Sequence, residues 1–391
     1  MYDNIIKNDN NIIDRKLRYP KITNNYILGG FVEILSPVEK RYKVEFFTEL
    51  GKLEYTSEIG SNMWCRTNKK YFEKYTCKVT DIETDIIIFN ETYNADDKRV
   101  FVTLESKALG DTFAWIPYID EFQKKHNCKL ICSTFHNNLF KDQYKNINFV
   151  EPGTMVDKLY AMYKIGWFYD DKEGIRYDLN KEDFRLSPLQ KTSSDILGLD
   201  FKEIKPLIKK PVNDILKKVG IGFHSTAQSK YWNNETGWQE VTDFLINFGY
   251  EVVIYSIESD GYMNNYFPNG SKINESGDLN KLIYDLSSCE FFIGISSGIS
   301  WITWALGIPT VLISGFTESF NEPTQDIIRV GSPDGKCTGC ANKYKLDVND
   351  WNWCPINKGT YKQFECTKSI TGGSVINILL SSKLIMLKKS L

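Results

Sequence analysis

Residues 290–315, EFFIGISSGISWITWALGIPTVLISG, decide the fold. EFFIGISS (290–297) is an apolar run of the kind that forms a buried strand. GISWITWALG (298–307) follows without a linker, has helical period and closes on Gly307, and IPTVLISG (308–315) is a second strand. A strand, a helix and a strand so closely joined imply a parallel crossover. The alternation extends upstream through VGIGFHST (219–226), WQEVTDFLINFG (238–249), YEVVIYSIE (250–258) and LNKLIYDLSSC (279–289). This block reads as a doubly wound parallel sheet.

A second α/β block lies earlier in the chain. RVFVTLES (99–106) reads as a strand, Ala108–Thr112 as a turn, FAWIPYIDEFQKKH (113–126) as a helix and CKLICST (128–134) as a strand. Residues 137–205 are mixed, with NINFVEP (146–152) as a further strand. The expected fold class is therefore α/β with two Rossmann-like domains and a ligand in the cleft between them. Before them, residues 27–105 carry β-branched and aromatic runs separated by Gly, Asn and Asp, with ELGKLEY (49–55) as a hairpin around Gly51. A small antiparallel barrel or sandwich is expected there. The boundaries read as 1–98 for the β-rich front, 99–205 and 206–335 for the two α/β domains, 336–368 for a cysteine-bearing segment and 369–391 for a C-terminal amphipathic helix. That helix is expected to pack on the protein rather than on a membrane.

The chain has 391 residues, ample for several cores, and ordinary globular proportions of 42% hydrophobic and 25% charged residues. Lys and Arg number 48 against 50 Asp and Glu, a formal charge of −2, so nothing basic points to nucleic acid. The opening MYDNIIKNDNNIID lacks the basic and apolar parts of an export signal, and no membrane-length apolar run follows. A cytoplasmic location is expected. Nine cysteines in a reducing compartment argue against a disulfide framework.

Four of those cysteines form the pattern C-x2-C-x13-C-x11-C: Cys337, Cys340, Cys354 and Cys366. A C-x2-C turn containing Gly339 can place two thiolates on one ion, and two later thiolates can complete a tetrahedron. Two disulfides or four unrelated thiols are the competing readings. Spacing leaves the ion open, with zinc as the default and iron compatible with four thiolates. Cys65, Cys77, Cys128, Cys132 and Cys289 read as buried thiols, and His126, His136 and His224 show no ligand spacing.

Three further places carry possible chemistry. Ser296, Ser297 and Gly298 end a strand and begin a helix, where free N–H groups favour phosphate; a plain capped helix is the simpler reading. Asp111 sits at the carboxyl end of a strand, where a carboxylate could accept a proton from a nucleophile, or merely cap a helix. Lys230, in the loop Ser225–Lys230, could neutralise a diphosphate, or lie solvated.

ALGDTFAWIPYIDEF (108–122), the ISSGISW turn, GIPTVLISGFTESFNE (307–322) and the late cysteines together resemble the bacterial autotransporter heptosyltransferases. The resemblance spans roughly residues 100–370. It implies a B-type glycosyltransferase fold related to the lipopolysaccharide heptosyltransferases, ADP-heptose as donor, and serines of an autotransporter passenger as acceptor. On this resemblance Asp111 is the catalytic carboxylate and Lys230 the diphosphate contact. The donor would lie against Thr112, Thr226, Ser296, Ser297, Gly298, Ser300 and Trp301. The cysteines would hold a structural iron, with zinc as alternative, no metal would act in catalysis, and the subunits would assemble into a large ring. A different nucleotide sugar, a lipid or polysaccharide acceptor, or a non-catalytic sugar-binding or assembly role remain the alternatives.

Overall fold

The computed structural model describes residues 20–275 and 277–385. The polar opening segment and the last six residues of the expected terminal helix lie outside that range. Among the described residues no helix is long and apolar enough to cross a membrane.

The front of the chain supplies β1 (Lys21–Ile27), β2 (Phe31–Leu35), β3 (Arg41–Phe47), β4 (Leu53–Gly60), β5 (Met63–Arg66), β6 (Thr76–Asp81) and β7 (Ile86–Thr92). Strands β4-β3-β6-β7 form a four-stranded antiparallel sheet, and β3 and β4 make the hairpin around Gly51, whose φ of 75° favours glycine. The expectation of a separate small antiparallel barrel or sandwich at the front of the chain is corrected here. Strands β1, β2 and β5 leave the antiparallel sheet and extend the next domain, because β1 pairs in parallel with a later strand.

That domain contains β8 (Arg99–Leu104), α1 (Leu109–His126), β9 (Lys129–Ser133), α2 (Asn137–Phe140), β10 (Ile147–Val150), β11 (Ala161–Ile165) and α3 (Lys191–Ile196). Its sheet runs β10-β9-β8-β11-β1-β2-β5. The second domain contains β12 (Leu216–Gly222), α4 (Gly237–Asn247), β13 (Glu251–Ile254), β14 (Lys272–Ile273), α5 (Leu279–Leu286), β15 (Cys289–Ile295), α6 (Gly298–Leu306), β16 (Thr310–Ile313) and β17 (Ile327–Val330). Its six parallel strands run β14-β13-β12-β15-β16-β17. In each sheet the strand order reverses at one place, between β8 and β11 and between β12 and β15. Ligands of open α/β sheets bind at such reversals, beyond the carboxyl ends of the strands.

The two reversals meet because the N-terminal ends of α1 and α6 touch. A side chain at Gly298 would come within 2.7 Å of Leu109 Cβ, and one at Gly110 within 3.1 Å of the Trp301 ring. Glycine at both points lets two helix starts approach more closely than side chains would permit. Trp301 and Trp304 are buried in the same core as Phe113, Trp115 and Ile116 of α1.

Residues beyond β17 fold as turns with α7 (Glu365–Lys368) and α8 (Gly372–Ser381). Helix α8 packs on α4, with Val375 and Leu379 buried among Val241 and Leu245. The described part of the terminal helix thus lies on the protein, as its apolar face predicts.

Gly298→Ala should separate α1 from α6. Overpacking of this kind costs about 1–3 kcal/mol, so the variant should unfold several degrees lower in a thermal melt, with weaker nucleotide binding. An unchanged melt would show that the contact is loose.

Candidate active site in the interdomain cleft

Asp111 is the third residue of α1 rather than its N-cap; Ala108 occupies the cap and has no side-chain bond to give. The helix therefore begins earlier than the sequence suggests, and the expected turn at 108–112 is mostly helical. Ser106 Oγ donates to the Asp111 carboxylate at 2.5 Å and accepts from the Ala108 N–H at 3.1 Å. The strand-to-helix turn thus fixes the direction of the carboxylate. Burial pushes the Asp111 carboxyl above the usual range, while Ser106, Lys230 and the Trp167 indole pull part of that rise back. Trp167 Nε1 itself makes no hydrogen bond of normal geometry. A raised pKa makes Asp111 a stronger base than a surface aspartate.

Lys230 ends the 3-10 turn Gln228–Lys230 that follows β12. Its Nζ donates to Thr226 Oγ1 at 3.1 Å and stands 5.3 Å from the centroid of the Phe316 ring. Burial lowers its pKa, and the fields of Asp111 and Glu322 oppose that fall. Asp111 and Lys230 come from opposite domains, yet each biases the ionisation of the other.

Glu322 and Phe316 are functional candidates that sequence reasoning missed. Glu322 is buried and accepts from Ser296 Oγ at 2.5 Å, Thr317 Oγ1 at 2.6 Å and Arg329 Nη1 at 2.6 Å. The ion pair with Arg329 and the two hydroxyl donors satisfy this carboxylate in its buried place. The available signal was a glutamate in the loop after a parallel strand, where binding residues gather.

Ser297 is the N-cap of α6, but its hydroxyl caps nothing and has no hydrogen-bond partner among the described residues. No acidic residue occupies the first turn of α6. This helix start therefore offers unspent N–H groups, a free hydroxyl and a positive dipole end. Gly298 lets α1 pack directly against this helix start. The other expected donor contacts fall differently. Thr112 is buried and donates to Ala108 O at 3.1 Å, and Ser300 is buried and donates to Ile295 O at 2.8 Å. Both hydroxyls donate to the backbone of their own segment. Trp301 packs against Gly110, and Thr226 is exposed beside Lys230.

Cys337, Cys340, Cys354 and Cys366 line one cavity with Phe316, Trp353 and Phe364, and none is in a disulfide. Burial, then the neighbouring thiols, push Cys340 up to about 11 and Cys366 up to about 12. Four thiolates in one dry pocket would repel each other without a cation, so the donor set suits a thiophilic ion. As they stand, no three of the described His, Cys, Asp or Glu side chains are close enough together to clasp an ion. The other five cysteines are buried in the main core. His224 donates to or accepts from Ser256 at 2.6 Å, and burial holds it down to about 4.

A family model for glycosyltransferase family 9 (heptosyltransferase) matches residues 190–342. The autotransporter heptosyltransferase BAHTCr of Citrobacter rodentium is 33% identical over 370 residues, 90% of this chain and 88% of that protein. The autotransporter heptosyltransferase Aah of Escherichia coli is 34% identical over 342 residues, 85% and 86% of the two chains. The chain belongs to the autotransporter heptosyltransferases. The crystal structure of TibC from enterotoxigenic E. coli H10407, an iron-containing dodecameric glycosyltransferase, matches with TM-score 0.83 at 30% identity, covering 93% and 95%. A second TibC structure, in complex with ADP-D-beta-D-heptose, matches with TM-score 0.82. This heptosyltransferase is an enzyme of the two-domain α/β glycosyltransferase fold.

The shifted ionisations set a pH window. Asp111 must be charged to act as a base, so activity should fall as pH drops through its raised pKa. Lys230 must be charged to hold an anion, so activity should fall as pH rises through its lowered pKa. A bell-shaped kcat/KM profile is expected, and Lys230→Arg, which does not deprotonate, should move the alkaline limb to higher pH in any variant that retains turnover. An alkaline limb that stays in place would assign it to another group.

Proposed function

We propose that the protein transfers heptose from ADP-heptose to serine hydroxyls of an autotransporter passenger, with inversion at the anomeric carbon. The observation that carries this reading is that Asp111 and Lys230, from opposite domains, lie near enough for each to bias the ionisation of the other. Asp111 takes the serine proton as Oγ forms its bond to the anomeric carbon. The bond from that carbon to the β-phosphate oxygen breaks, and ADP departs with the electron pair. Lys230 and the open start of α6 neutralise the charge that gathers on the diphosphate, so preorganised donors stabilise the transition state. Ser296 is tied to Glu322, which holds the turn that presents Ser297 and Gly298.

ADP-heptose is supported as donor by the complex of TibC with that sugar nucleotide. The names of the relatives support an autotransporter acceptor. A cytoplasmic site of action follows from the need for a nucleotide sugar. A ring of subunits is supported by the dodecameric TibC and suits repeated modification, since neighbouring sites raise the effective concentration of acceptor serines.

Cys337, Cys340, Cys354 and Cys366 would hold one iron ion, as supported by the iron-containing TibC. When bound, the ion would supply a structural cross-link to a segment with little core of its own: Phe316, Cys340 and Trp353 are its buried cluster.

Co-expression with a candidate passenger, followed by intact-mass measurement, tests the substrates. Heptose steps on serine are expected; hexose steps would refute the donor, and transfer to lipid alone would refute the acceptor. Asp111→Asn keeps the shape and removes the basicity, so turnover should fall by ~10²-fold or more while ADP still binds; near-normal turnover would remove Asp111 from the chemistry. Elemental analysis should give about one iron per chain, and Cys340→Ser should lose metal and melt lower. Zinc in place of iron would correct the ion, and unchanged metal and stability would refute the site.

A further inference from the structure

We propose that Phe316 is a positioning residue for Lys230, through which the cysteine segment sets the place of the ammonium in the cleft. This rests on the reading that Lys230 holds the departing diphosphate.

Three consecutive residues of the lysine turn touch the cysteine segment or the wall it builds. The Gln228 N–H donates to Trp351 O at 3.0 Å. Ser229 is buried and lines the same cavity as the four cysteines. Lys230 Nζ lies over the Phe316 ring. Phe316 is only 5% exposed, lines that cavity and meets Trp353 edge-on at 6.0 Å between centroids. Its backbone is fixed as well: Phe316 O accepts from the Ala341 N–H at 3.1 Å, and Gly315 O accepts from the Gly339 N–H at 3.0 Å. The residues flanking Cys340 therefore hold the strand end that carries Phe316.

The ammonium needs such a support. Among the described residues its one hydrogen bond goes to Thr226 and no carboxylate stands within ion-pair distance, which leaves its other N–H groups for a ligand. An aromatic face attracts a cation without consuming those N–H groups, and does so more strongly where water is excluded. An aliphatic side chain of similar size would fill the space but would not hold the charge in place.

The test is a double-mutant cycle on the metal-loaded full chain, with ADP affinity measured by calorimetry. Phe316→Leu should weaken ADP binding about 5–10-fold. In the Lys230→Ala background the same change should alter affinity by less than about twofold, because the group that Phe316 positions is gone. Phe316→Tyr keeps the aromatic face and should stay close to wild type. If Phe316→Leu does not fold, Phe316→Met serves the same cycle. Equal losses in both backgrounds, or no loss in either, overturn the inference while leaving Lys230 as the diphosphate contact. A Lys230→Ala enzyme that binds ADP like wild type overturns that reading, and this inference with it.

Discussion

The contact on which the site depends is the meeting of two helix starts, Leu109 and Gly110 of α1 against Gly298 and Trp301 of α6. Each helix follows the strand at which its sheet reverses order, so joining the helices joins the two reversals. The Asp111 carboxylate on one domain and the start of α6 on the other are then held at one cleft without a loop having to reach across. The cost is that a side chain at Gly298 would have to displace the start of α1, and one at Gly110 would crowd the Trp301 ring. Burial of Trp301 and Trp304 with Trp115 and Phe113 makes this junction part of the main core, so it is as rigid as the domains it joins.

The same junction organises the charges. Two positive helix ends point into one space, but they are used differently. The end of α1 carries Asp111 in its first turn, a favourable place for a carboxylate. The end of α6 carries no acid, and its Ser297 hydroxyl is free. One end thus has a carboxylate of the protein in its first turn and the other does not. Glu322 is already matched by Arg329, and it supports the Ser296 turn by accepting from its hydroxyl. Low polarity around Asp111 and Lys230 weakens the charged form of each, and their mutual field restores part of it.

Much of this was legible in the sequence, and the exceptions have physical causes. The period change through residues 290–315 gave β15, α6 and β16 within a few residues, because buried parallel strands and a helix closed by glycine leave strong local signals. Asp111, Lys230 and the Ser296–Gly298 turn were visible as residue types at strand ends. The helical status of Asp111 was hidden, since Ala108 is a cap without a side-chain signature. The membership of β1, β2 and β5 in the parallel sheet was also hidden, because pairing partners far apart in sequence leave no local pattern. Thr112 and Ser300 looked available as hydroxyls, and only the helix geometry turns them back onto their own backbone. Phe316 and Glu322 depend on the chain folding the loop after β16 back over the lysine turn, which no spacing encodes.

The most direct measurement of the central claim is a crystal structure of the protein with ADP bound. The account predicts diphosphate oxygens within hydrogen-bond distance of Lys230 Nζ, of the first free N–H groups of α6 and of the Ser297 hydroxyl, with Asp111 facing the β-phosphate side of the cleft. A diphosphate bound elsewhere, with Lys230 still resting on Thr226 and Phe316 and the start of α6 untouched, would contradict it.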